Sequence, residues 1–167
     1  MRLILTVLPR SALSVCVIAP ALTQQFVHQN NLLPGPHRWT EGVTAEDVDL
    51  DGDLDLMFSE GDGFSSAQAQ RQCRLLINQF VPTGNLTFTD ESVARLGTRL
   101  ANGKNVISGD VNGDGWPDLL YVNAFNTQVP YLFINRGASQ PGFFDMQSAT
   151  RGLTEVYNGG GAAFGDL

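Results

Sequence analysis

The sequence predicts an all-β fold: a partial β-propeller of two four-stranded blades plus the first strand of a third. Three observations predict it. The chain repeats itself, each copy divides into four apolar segments of strand length, and no segment sustains a helical period. Composition agrees, because 18 Gly and 8 Pro beside a 43% hydrophobic content favour short strands joined by turns.

Residues 1–21 read as an export signal. Arg2 and Arg10 precede an apolar run at 11–22, and Ala19-Pro20-Ala21 supplies the small residues of a cleavage point. The run is too short to span a bilayer and no other stretch approaches that length, so the expectation is a secreted, cell-surface or periplasmic protein without a transmembrane segment. Loss of this leader removes Cys16 and leaves Cys73 alone, so no internal disulfide is expected. Cys73 then reads as a small buried apolar side chain. The 10 Lys and Arg against 17 Asp and Glu give a net charge of −7. That balance argues against nucleic acid and anionic membranes as partners and suits hard cations.

After a lead-in at 22–40, the first blade is assigned to 41–97, the second to 98–153, and 154–167 open a truncated third. The division rests on matched segments. In "AEDVDLDGDLDLMFSE" and "SGDVNGDGWPDLLYVN", Asp47 aligns with Asp110, a displacement of 63 residues. "RLLINQF" from Arg74 aligns with "YLFINRG" from Tyr131, a displacement of 57, and the missing six are placed around "FSSAQAQ". "LTFTDESVARLGT" then matches "GFFDMQSATRGLT", and "NGGGAAFGDL" matches "NGKNVISGDV", which puts Asp166 in the place of Asp110. The expected strands are 42–48, 55–59, 74–78 and 86–90 in the first copy. In the second they are 105–110, 118–123, 130–135 and 143–147. Each is bounded by Gly, Pro, Asn or Ser. The small residues of "VTAEDV" and "GAAFGD" suit an innermost strand, where neighbouring blades crowd together. That crowding accounts for the glycines of "NGGGAAFG" better than a phosphate loop does, since no GK[ST] follows.

Each copy places an acidic loop between its first two strands. Counted from the first Asp, positions one, three, five and nine are Asp47, Asp49, Asp51 and Asp55, then Asp110, Asn112, Asp114 and Asp118. Position six is Gly52 or Gly115, which permits a sharp turn. Position seven, Asp53 or Trp116, offers its backbone carbonyl, so its side chain is free to differ. Carboxylates this close repel one another, and a dication removes the conflict. All donors are hard oxygens, which favours Ca²⁺ over Mg²⁺ or Mn²⁺. Two sites are expected, with a third beginning at Asp166. An EF-hand is excluded, because position twelve is Phe58 or Tyr121 instead of Glu, and a strand follows in place of a helix.

These loops, the "LLIN" and "LFIN" strands, the "FTD" and "FFD" segments and the terminal "GGGAAFGD" resemble FG-GAP/VCBS repeats, the calcium-binding blades of integrin-α-type propellers. The phrasing "F-x-D…GL…GAAFGD" is most similar to secreted acidic proteins of the cartilage acidic protein type. The resemblance covers 41–167 and implies calcium ligands at the side chains and carbonyls just named. It also implies closure by more blades than are encoded here, so the chain reads as a fragment of a longer propeller.

The expected role is a binding or adhesion module for a protein or glycan at the cell surface or matrix, with calcium structural. A carbohydrate-binding propeller, or the scaffold of a polysaccharide-active enzyme, is the alternative, on the loop aromatics Trp39, Phe64 and Trp116. Packing between blades is the better account of those rings. No catalytic activity is expected, because GxSxG and HExxH are absent and the two histidines, His28 and His37, precede the repeats. The sequon at Asn85 matters only in a eukaryotic secretory pathway.

Overall fold

The computed structural model describes residues 31–165 apart from His37 and Phe64. The leader at 1–21, His28, His37, Phe64 and Asp166 therefore lie outside the described residues. What is described is mostly strand, in antiparallel sheets.

The first sheet joins β1 (Thr40–Glu46), β2 (Asp55–Glu60), β4 (Arg74–Asn78) and β5 (Phe88–Asp90) in the order β1-β2-β4-β5. The second joins β7 (Gly103–Gly109), β8 (Asp118–Asn123), β9 (Tyr131–Asn135) and β10 (Phe144–Met146) in the same meander order, β10-β9-β8-β7. All eight expected segments carry a strand, and their ends move by a few residues at most. Between β2 and β4 the inserted residues form a loop closed by the bridge Gly61–Gln70, which is where the sequence places the insertion.

Three features depart from expectation. A two-stranded ribbon, β3 (Arg71–Gln72) with β6 (Leu100–Ala101), is added outside the meanders. Single helical turns, α1 (Phe80–Thr83) and α2 (Ser92–Leu96), lie where no helical period exists. Four or five residues are too few to display one. Third, residues 153–165 contain no strand, which corrects the expected first strand of a third copy. A strand is defined by backbone pairing along its length, and no described segment forms a continuous ladder with this one.

That terminal segment still occupies a telling place. Gly159 N–H donates to Asn123 C=O at 3.2 Å, and Phe164 lies 2.8 Å from where a Cβ on Gly109 would stand. In the first sheet the matching places are Glu60 and Glu46. There Gly103 packs on the backbone of Glu60, and Ser108 Oγ donates to Glu46 Oε2 at 2.9 Å. Residues 159–164 thus sit on the second sheet as β7 sits on the first.

The sheets meet through small residues and one apolar cluster. β1 lies against β7, with Asn105 Cα only 2.8 Å from a Cβ built on Gly42. Any larger side chain at Gly42 forces the strands apart. Beside this seam, Met57, Leu75 and Ile77 of the first sheet share a core with Leu119, Tyr121 and Phe133 of the second. The Tyr121 and Phe133 rings meet edge to face, with centroids 5.7 Å apart. Buried Tyr121 also donates its hydroxyl across the junction to Arg74 C=O at 2.8 Å. Truncating any of these side chains to Ala costs about 2–5 kcal/mol. Cys73 is buried in the same cluster, as expected, and burial pushes its thiol up to about 12.

Candidate metal centre

Both acidic loops are built on one backbone frame. Residues at positions four and six take left-handed conformations: Leu50 (φ 54) and Gly52 (φ 103) in the first loop, Gly113 (φ 78) and Gly115 (φ 85) in the second. The first Asp of each loop then caps the turn. Asp47 Oδ1 accepts from Asp51 N–H at 3.1 Å and Oδ2 from Gly52 N–H at 2.9 Å. Asp110 Oδ1 accepts from Gly113 and Asp114, and its Oδ2 from Gly115 at 2.8 Å. The Gly115 bond, with its neighbours, holds the Asp110 carboxyl below its ordinary range.

The last Asp ties each loop to the sheet. Asp55 Oδ2 accepts from Val48 N–H at 3.1 Å, and Oδ1 accepts from Asn78 N–H at 2.9 Å. Asp118 repeats the pattern with Val111 at 3.0 Å and Asn135 at 2.8 Å. Position nine therefore starts the second strand and bridges to the third. Strands, not helices, follow both loops, so the EF-hand stays excluded. Burial pushes the Asp55 carboxyl up to about 7, against its two backbone hydrogen bonds, and raises Asp118 above its ordinary range.

The loops differ in what they gather. Asp47, Asp49 and Asp55 bring carboxylate oxygens within 4.8 Å of one another, close enough for one cation. Asp49 points inward because Arg95, on α2, donates to its Oδ2 at 3.2 Å. Its Oδ1 is buried with no hydrogen-bond partner among the described residues. Burial, then the neighbouring Asp51, raises its carboxyl above the usual range. A hard dication fits this donor set, since it would take the orphaned oxygen and the mutual repulsion together. The second loop makes no such three-carboxylate group among the described residues. There position three is Asn112, whose Nδ2 donates to Asp114 Oδ2 at 2.8 Å.

Of the remaining expected residues, Asp51 Oδ1 accepts from Asp53 N–H at 3.1 Å, within the loop. Asp53 turns its side chain away, and its Oδ2 accepts from Val81 N–H of α1 at 2.8 Å. Trp116 lays its indole against Gly137, 3.2 Å from where a Cβ would stand. That is packing within the second copy, not the packing between blades that was expected of this ring. Exposed Trp39 donates Nε1–H to Glu41 at 2.9 Å. Sequence reasoning missed Arg95. It lies 46 residues from Asp49, and the only signal was a lone cation in "SVARL".

Compared with protein-family models, curated proteins and solved structures, the chain matches none. Among the described residues, no helix is long and apolar enough to cross a membrane.

Proposed function

We propose that this chain is part of an exported FG-GAP/VCBS-type β-propeller in which Ca²⁺ braces each blade and the assembled blades bind a protein or glycan partner. The role is binding or adhesion, without catalysis. The observation that carries the reading is the convergence of Asp47, Asp49 and Asp55, with the buried Oδ1 of Asp49 left unpartnered among the described residues. A charge arrangement of this kind is costly without a cation and stable with one. The successive seating of β7 on the first sheet and of 159–164 on the second supports a repeating radial stack. The second loop, with Asn112 in place of one carboxylate, takes the same ion more weakly.

Calorimetric melting in Ca²⁺ and in excess EDTA tests the reading. Ligand at a hundredfold its Kd stabilises by about 2.7 kcal/mol. That corresponds to a rise of roughly 5–10 °C for a chain of this size. Superimposable melting curves in Ca²⁺ and EDTA would reject calcium as the brace.

A further inference from the structure

The first acidic loop touches more than its own sheet. Buried Val48, at position two, accepts at its C=O from the Asn135 side chain at 2.8 Å, and Asn135 ends β9 of the second sheet. The next residue, Asp49, accepts at Oδ2 from Arg95 Nη1 at 3.2 Å. Arg95 lies on α2, where its Nε donates to Glu91 Oε2 at 2.7 Å. The same Nη1 donates to Pro141 C=O at 3.3 Å, and the guanidinium carbon stands 4.9 Å from the Phe143 ring centre. Pro141 and Phe143 belong to the connection between β9 and β10. With its side chain only 10% exposed, Arg95 joins the loop, α2 and the second copy where water screens little.

Gly142 completes this joint. Its φ is 69°, and a Cβ built there would stand 3.0 Å from Asp49 Cβ, 3.4 Å from Val48 Cγ2, and in collision with Arg95 Nη1. A glycine both adopts that conformation and lets the connection lie directly against the loop.

These contacts decide how Asp49 is presented to a cation. Arg95 engages Oδ2, which leaves Oδ1, the buried oxygen without a hydrogen-bond partner among the described residues, to serve as the ligand atom. Holding one carboxylate oxygen fixes where the other points, and partners of this kind orient metal ligands. Here the partner is itself held by the second copy, through Pro141 and Phe143. The second loop has Asn112 at the same position, which instead bonds to Asp114 of its own loop. We propose that Arg95 is a positioning residue for the first-loop cation and that, with Gly142, it ties that ion to the seam between the two sheets. The ion then braces the joint as well as its own blade. This deepens the calcium reading and rests on it. The coupling is reciprocal, since whatever the joint adds to ion binding the ion adds to the joint.

The test is a CaCl₂ titration of the full isotope-labelled chain followed by NMR, with the Gly52 and Gly115 amides reporting the two loops separately. Amide exchange at Phe143, whose N–H donates to Gln140 C=O at 3.1 Å, reports the joint. In the parent, Ca²⁺ is expected to slow exchange at Phe143. Arg95→Met and Gly142→Ala are each expected to weaken Ca²⁺ at Gly52 about tenfold and to leave Gly115 unchanged. Phe143→Leu alters only the ring beneath Arg95 and keeps the backbone of the connection. It is expected to weaken the Gly52 response severalfold, and a melt in EDTA checks that it folds. A parent whose Phe143 exchange ignores Ca²⁺, or an Arg95→Met or a folded Phe143→Leu chain with parental affinity at Gly52, would overturn the proposal while leaving the calcium reading intact. A parent with no calcium response at either glycine rejects both.

Discussion

Asp55→Asn isolates what position nine contributes. The parent carboxylate accepts two backbone hydrogen bonds, from Val48 at 3.1 Å and from Asn78 at 2.9 Å, while fully buried. An amide keeps one acceptor and turns an NH₂ toward the other N–H. One buried donor is then unsatisfied, at a cost of about 1–3 kcal/mol. Taking about 2 kcal/mol, the midpoint in EDTA falls by roughly 4–8 °C. Asp118→Asn meets the same geometry at Val111 and Asn135 and loses a similar amount. Calcium divides the pair: Asp55→Asn also loses most of the calcium response, whereas Asp118→Asn keeps the response of the first loop. The pH dependence offers a check. In EDTA the folded chain holds the Asp55 proton up to about 7, well above an unfolded aspartate. The folded state therefore binds more protons, and this group makes stability fall as pH rises from about 4 to about 7. Asp55→Asn removes that slope. Unchanged EDTA midpoints in both variants would refute the bridging role assigned to position nine.

Other substitutions probe the surroundings of the loop. Arg95→Met removes the guanidinium, whose carbon lies 4.9 Å from the Phe143 ring centre, and releases Asp49, Glu91 and the Pro141 carbonyl. Urea unfolding is expected to show a loss of about 1–3 kcal/mol, with calcium affinity changed at the first loop and not the second. Leu50→Asn relieves a branched side chain at φ 54, where the second loop has Gly113, and is expected to raise stability by about 0.5–1 kcal/mol in the same assay. Cys73, buried and with its thiol at about 12, is expected to resist a thiol reagent at pH 8 until urea unfolds the chain. Rapid labelling of the native protein would contradict its place in the core.

The strands and loops were legible because their causes are local. Alternating apolar residues, turn formers at segment ends and the repeated Asp-x-Asp/Asn-x-Asp-Gly spacing are properties of neighbouring residues, and comparing the two copies fixed their register. Even the six-residue insertion was placed correctly, since the matched segments on either side bracket it. The third copy was legible as a sequence match but not as a strand, because a strand also needs a partner to pair with. What spacing could not decide was convergence. Equal spacing in the two loops gives one three-carboxylate group and one Asn112–Asp114 hydrogen bond, because Arg95 arrives from 46 residues away to hold Asp49. The buried pairing of Glu60 with Arg74 was equally invisible, since burial and side-chain partners belong to the packed sheets. The sequence by itself determined the antiparallel meanders and where the carboxylates lie along the chain. Only tertiary packing decided which of those charges face one another, because electrostatic energy depends on separation in space and on exclusion of water.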